Sequence, residues 1–127
     1  MNRRTAREKA MQILFQHDFN DIDLEEAIEE FLEPEEHDEY LIQLIHGVKE
    51  HIQEIDAMIN EYLVNWTIER IASVEKTVLR IATYEFNYLD DIPTSVSINE
   101  AIELAKKFGD EKSGKFVNGV LSKIQKK

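Results

Sequence analysis

Arg3, Arg4 and Arg7 crowd the start of the chain, and Arg7, Met11 and Phe15 follow one another at helical i, i+4 spacing. A guanidinium binds phosphate through a planar fork of donors, and an aromatic ring gives an unstacked base a face to lie on. Cation and ring along one helix line are thus a candidate contact for single-stranded RNA. The combination recurs near the other end, where Lys112, Lys115, Phe116 and Asn118 fall within about two helical turns. Positive charge at a helix N-terminus opposes the macrodipole, so the arginines need a reason beyond helix formation to be there. Arg3 and Arg4 are expected ahead of the helix cap, in a tail that bends toward a ligand, with Arg7, Met11 and Phe15 on an exposed line offset from the apolar stripe. Phenylalanine is also a common core residue, so stacking platform and core packing both stand open for Phe15 and Phe116. Gly114 and Gly119 are costly inside a helix unless something approaches the backbone closely; a partner helix or RNA would serve.

Catalysis has no comparable foothold. The histidines are His17, His37, His46 and His51, and no two stand at the i, i+4 spacing of a helical metal site. His46 and Glu50 lie one turn apart, but two ligands do not make a site. The Gly-rich phosphate loops, the nucleophile elbow and the zinc-protease helix are all missing from the sequence. There is no cysteine, which removes disulfides, thiolate metal sites and a cysteine nucleophile, and fits a reducing compartment. A non-enzymatic protein without metal or cofactor is expected. The N-terminal residues lack the apolar segment of a secretory signal, and no stretch reaches the roughly 18 apolar residues of a membrane span. The expected location is cytoplasmic.

A net charge of −11 would ordinarily disfavour a nucleic-acid ligand, but the charge is unevenly spread. Residues 20–39 carry eleven carboxylates and no Lys or Arg, so the remainder of the chain is formally neutral. That run lacks the Asx-Gly loop of a calcium site and reads as the solvated face of a helix. Outside it, both termini are basic: Arg3, Arg4, Arg7 and Lys9 at one end, and Lys106, Lys107, Lys112, Lys115, Lys123, Lys126 and Lys127 at the other. A fold that joined them would present one positive surface.

Helical periodicity runs almost throughout and no segment alternates like a strand. Thr5 with Glu8 reads as a capping box for a helix over about 6–18, and Asp23 with Glu26 starts a second that Pro34 ends. A third, over about 37–63, carries Leu41, Leu44, Ile45, Val48, Ile52, Ile55, Ile59 and Leu63 inward, with Gly47 as a tolerated weak point. Asn65-Trp66 interrupts the pattern. A short helical turn over about 67–72 leads to Ser73, an N-cap for a helix from Val74 to the Asp90–Pro93 region. Ser97 with Glu100 caps the next helix, Gly109 suits a left-handed C′ residue, and Asp110 caps the last. The prediction is an all-α bundle spanning 1–127 as a single domain. It has about six main helices plus a short one, in an N-terminal three-helix group and a C-terminal group.

Three segments carry a family resemblance: RRTAREKAMQILF (Arg3 to Phe15), VEKTVLRIATYE (Val74 to Glu85) and, most specifically, SINEAIELAKKFGDEKSGKFVNGVL (Ser97 to Leu121). With these the chain resembles the NusB family of transcription antitermination factors from near its first residue to near its last. The resemblance implies two three-helix sub-bundles sharing a core, and a non-catalytic role. NusB proteins pair with NusE, a small-subunit ribosomal protein, and together bind boxA RNA in ribosomal operon transcripts, helping RNA polymerase read through terminators. Carried onto this chain, it implies RNA contacts by Arg3, Arg4, Arg7, Phe15, Lys112, Lys115, Phe116 and Asn118, and partner contacts by Phe15 and Glu75. Thr5 stands where the fullest motif has arginine, which implies weak RNA binding by the protein alone. The main rival is an interaction module without RNA contact, or a homodimer that covers the arginine-rich surface. An RNA-binding domain detached from an rRNA methyltransferase and an unrelated acidic helical adaptor are weaker rivals.

Overall fold

Asn2, rather than Thr5, caps the first helix: its Oδ1 accepts the Thr5 N–H at 2.8 Å, and α1 runs Arg3–Asn20. Arg3 and Arg4 are therefore in the first helical turn and not in a free tail. The computed structural model describes residues 1–125; Lys126 and Lys127, assigned above to the basic C-terminus, lie outside the described residues. Asp23 caps α2 (Leu24–Phe31), and a 3-10 turn at Pro34–Glu36 leads to α3 (Glu39–Glu50) and α4 (Ile52–Tyr62). A second 3-10 turn, Ile68–Arg70, precedes α5 (Ser73–Tyr88), α6 (Thr94–Phe108) and α7 (Glu111–Gln125). Among the described residues the fold is all-helical.

The segment expected as one long third helix is two helices, jointed at His51, whose backbone sits at φ −107°, ψ 21°. The cause lies on α5. The Tyr84 ring rests so closely on Gly47 that a Cβ there would overlap it, and the His51 ring stacks on Tyr88 at 4.1 Å. Gly47 is thus a packing requirement, not a tolerated weakness. The joint lets α3 pack on α1 while α4 turns to pack on α5 and α7. The groups are then α1–α3 and α4–α7, so the joint hands half of the third helix to the C-terminal group.

Three capping expectations also change. Pro93, with φ preset near the helical value, leads directly into α6, so Ser97 lies a turn inside it, buried, with its hydroxyl committed elsewhere. Ser73 is the first residue of α5, and its carbonyl accepts the Thr77 hydroxyl at 2.8 Å. Gly109 has φ −119° and is not left-handed; a Cβ there would crowd Ser113 Oγ at 2.7 Å and the Ala105 carbonyl at 2.8 Å. Asp110 does cap α7, its Oδ1 accepting the Ser113 N–H at 2.9 Å.

One buried cluster draws on every helix: Ala10 and Ile13 from α1, Ile28 from α2, Leu44 from α3, Ile59 from α4, Leu79 from α5, Ala101 from α6 and Leu121 from α7. Burying each Leu or Ile side chain contributes about 1.5–3 kcal/mol. Gly114 is explained inside the bundle, since a Cβ would strike the Lys106 side chain of α6 at 2.7 Å, whereas Gly119 faces open space.

Candidate nucleic-acid interface

Arg7 leaves the candidate surface altogether. It is 4% exposed, and its Nε and one terminal nitrogen donate to the Glu85 carboxylate at 2.9 and 3.3 Å. Glu85, 1% exposed, also accepts the Ser97 hydroxyl at 2.6 Å and the Tyr40 hydroxyl. Two carboxylate oxygens thus receive four donors, the condition under which a buried ion pair holds without orphaned groups. Burial, with the Glu85 charge beside it, pushes the Tyr40 phenol well above its ordinary value, so Tyr40 stays a donor. Met11 is buried as well. The exposed Arg7–Met11–Phe15 line is therefore corrected: tertiary packing buries its first two members.

Arg3 and Arg4 remain at the surface, each held by a carboxylate. Arg3 donates to Asp91 at 2.9 Å with its guanidinium 4.6 Å from the centre of the Tyr40 ring. Arg4 forks onto Glu100 at 3.1 and 2.8 Å. Lys9 pairs with Glu36, Lys107 with Glu8, and Lys106 with Glu103 and Glu111. The single positive surface expected from the basic termini is thus largely neutralised by carboxylates from other elements. Among the described residues, Arg70, Lys112, Lys115 and Lys123 make no ion pair, and Lys112, Lys115 and Asn118 lie exposed along α7.

The arginine pairs carry a pH dependence. The Arg4 fork holds the Glu100 carboxyl below its ordinary value of 4.5, and Arg3 does the same for Asp91. A depressed folded-state pKa contributes stability that is present above the unfolded value and lost as pH falls through the folded one. Acid unfolding of Glu100→Gln is therefore expected to be flatter than that of the parent chain below about pH 4.5. Denaturation midpoints measured from pH 6 to pH 3 test this; parallel curves would rule the pair out as a contributor.

Two grooves flank the N-terminal turn of α5. In the first, of about 280 Å³, Phe15 and Met11 of α1 meet Phe31 of α2, Val74 of α5 and Phe108 of α6. Phe15 is half-buried there and stacks on Phe19, ring centres 5.4 Å apart, leaving Phe19 64% exposed. In the second, of about 290 Å³, Glu75 of α5 faces Lys112 and Phe116 of α7, closed by Trp66, Arg70 and Ile71. Phe15 and Phe116 are thus neither fully core nor fully exposed, and Glu75 is half-buried in the lining of the second groove. Phe19, Trp66 and Arg70 escaped the sequence reading. Phe19 continues the Phe15 line at i, i+4, which is the signal that could have found it.

Three of the four histidines have structural partners: His17 Nδ1 meets the Ile22 carbonyl and its Nε2 faces Lys49 Nζ at 3.0 Å, His46 lies 3.4 Å from Glu25, and His51 stacks on Tyr88. Among the described residues no group of three or more His, Cys, Asp or Glu could hold a metal ion, and no helix is long and apolar enough to cross a membrane.

The comparisons with known proteins agree on one family. The NusB family model matches residues 4–126. The transcription antitermination protein NusB of Bacillus subtilis (strain 168) is 58% identical over 125 residues, covering 98% of this chain and 95% of that protein. Its namesake from Oceanobacillus iheyensis is 60% identical over 124 residues, covering 98% of each. Among solved structures, T. maritima NusB superposes with a TM-score of 0.91 at 45% identity, covering 100% of this chain and 92% of that one. A crystal structure of antitermination factors NusB and NusE in complex with double-stranded RNA matches with a TM-score of 0.88 at 34% identity, covering 98% and 96%. Sequence identity over nearly the whole length and superposition of all the helices lead to the same assignment: the chain belongs to the NusB family.

Proposed function

We propose that this protein is a cytoplasmic transcription antitermination factor. Together with NusE it binds boxA RNA of ribosomal operon transcripts and promotes read-through by RNA polymerase. The observation that carries the reading is the near-full-length match to antitermination proteins, joined to a solved relative held with NusE and RNA. The two grooves divide the work by charge. The Phe15 groove is apolar and is bordered by α2, whose outer face shows Glu25, Glu26, Glu29 and Glu30 to solvent. That surface suits a basic protein such as NusE, with Phe15 and Phe19 as anchors, and Glu75 in the second groove, one residue beyond Val74, as an acceptor for a basic loop reaching past the first. The α7 side, with Lys112, Lys115, Phe116 and Asn118, suits RNA. Arg3 and Arg4 reach phosphate by exchanging a carboxylate partner for it, while Arg7 supports the surface from within. Such a divided surface implies weak binding by the protein alone, since partner and RNA each meet only part of what they need.

Fluorescence anisotropy of a boxA-like RNA and a scrambled control, at low and physiological salt, with and without purified NusE, tests the reading. Sequence-selective binding that strengthens when NusE is added is expected. Equal affinity for both RNAs in the presence of NusE would sink it.

A further inference from the structure

The geometry points to a nucleotide subsite formed by Trp66 and Arg70, where a single-stranded base stacks on the indole beside Phe116 while Arg70 and Lys112 hold flanking phosphates. The inference rests on the RNA-binding reading above and extends that surface across the loop between α4 and α5. Trp66 is the sole tryptophan of the chain, and its side chain is 55% exposed. A buried indole removes some of the largest apolar area of any residue from water, so leaving it at the surface forgoes stability that the core could have used.

The loop that displays it is built rather than slack. Ile68 is completely buried, its N–H donates to Asn60 Oδ1 at 2.8 Å, and the Arg70 N–H donates to the Thr67 carbonyl at 2.9 Å. Asn65 adopts φ 66°, in the left-handed region, so the backbone bends immediately before Trp66. Between this loop and α7 lies the groove of about 290 Å³, with Trp66, Ile71 and Phe116 as apolar walls. Its charged lining is Arg70 and Lys112 against Glu75, and neither cation forms an ion pair among the described residues. Aromatic faces for stacking, with cations free to meet a backbone, are the composition of sequence-tolerant single-strand sites. Lys115 on the adjoining turn of α7 continues the positive charge, and the aromatic faces add a stacking surface, so a polyanion that carries bases suits the groove better than a protein segment does. Contiguity with Lys112 and Phe116 makes the subsite a continuation of the proposed RNA path.

Because Trp66 is alone, its emission reads the subsite directly. The full chain is titrated with single-stranded boxA-like RNA in the presence of NusE, with Trp66→Phe run in parallel to subtract emission from the partner. Saturable quenching that tracks anisotropy is expected. Trp66→Ala is expected to weaken RNA binding about tenfold, and Arg70→Gln to lower the salt slope by about 0.7, with NusE affinity and thermal midpoint unchanged. If RNA binds but Trp66 emission stays constant and Trp66→Ala binds as the parent does, the subsite is refuted while the RNA reading survives. Loss of NusE affinity in Trp66→Ala with RNA affinity intact would give the groove to the protein partner and refute it too. Absence of RNA binding by the parent chain under every condition would overturn both readings.

Discussion

Arg7→Ala is expected to lower stability by about 3–5 kcal/mol, the typical consequence of removing one member of a buried ion pair. The cost does not come from losing an attractive contact as such. Glu85 would remain 1% exposed with Tyr40 and Ser97 as its remaining donors, and a carboxylate kept from water with half its donors gone is the expensive species. For a chain of this length the loss corresponds to a fall in thermal midpoint of about 10–20 °C. Replacing both partners with apolar residues, as in Arg7→Met with Glu85→Leu, is expected to cost much less, because no charge is stranded. Tyr40 and Ser97 would then lose an acceptor, so the double variant should still fall short of the parent. A thermal or urea melt of the two variants distinguishes this from a surface role: an Arg7→Ala midpoint within a degree or two of the parent would refute the buried-pair account. Loss of RNA binding in Arg7→Ala alone would accordingly say nothing about phosphate contact, since a destabilised bundle no longer holds α7 and the start of α1 in place.

The second large effect concerns which cations RNA uses. Each phosphate neutralised on a single strand contributes about 0.7 to the slope of log affinity against log salt. Lys112 and Lys115 make no ion pair among the described residues, so removing both as Lys112→Gln with Lys115→Gln is expected to flatten the slope by about 1.4. Between 50 and 200 mM salt this is a difference of about sevenfold in the affinity lost. Arg3 and Arg4 already hold Asp91 and Glu100, and contact with phosphate requires giving those up. Arg3→Gln with Arg4→Gln is therefore expected to change the slope by less than the lysine pair, although arginine is the better phosphate ligand in isolation. Anisotropy titrations across the salt series with NusE present make the comparison. A larger effect from the arginine pair would mean that its carboxylates are displaced at little cost, and that the RNA path crosses the start of α1.

Much of the architecture was legible in the residues. Apolar spacing along each segment marked the helices, and Pro34, Pro93 and Asp110 marked ends that the structure keeps, because caps and breakers act within a few residues of themselves. The basic and aromatic residues of α7 were visible for the same local reason. Local rules missed some boundaries, since Asn2, Ala72 and Pro93 rather than Thr5, Ser73 and Ser97 precede their helices, but the larger failures depended on a neighbour far along the chain. The apolar pattern 48, 52, 55, 59 runs unbroken through His51, and only Tyr84 and Tyr88 of another helix produce the joint there.

The candidate surface divides along the same line. Charge count placed arginines at the N-terminus, but the carboxylates that hold Arg3, Arg4 and Arg7 stand 88, 96 and 78 residues away. No spacing rule links such pairs, so an arginine destined for the core read the same as one destined for phosphate. The exposed indole of Trp66 is the converse case, a residue type that usually signals packing and that the turn at Asn65 leaves at the surface. The sequence by itself therefore determined the helices, the family and the residue chemistry available, since these follow from local periodicity and motif. Tertiary structure decided which of those charges and rings remain free to bind, because availability depends on which partners the folded chain has already supplied.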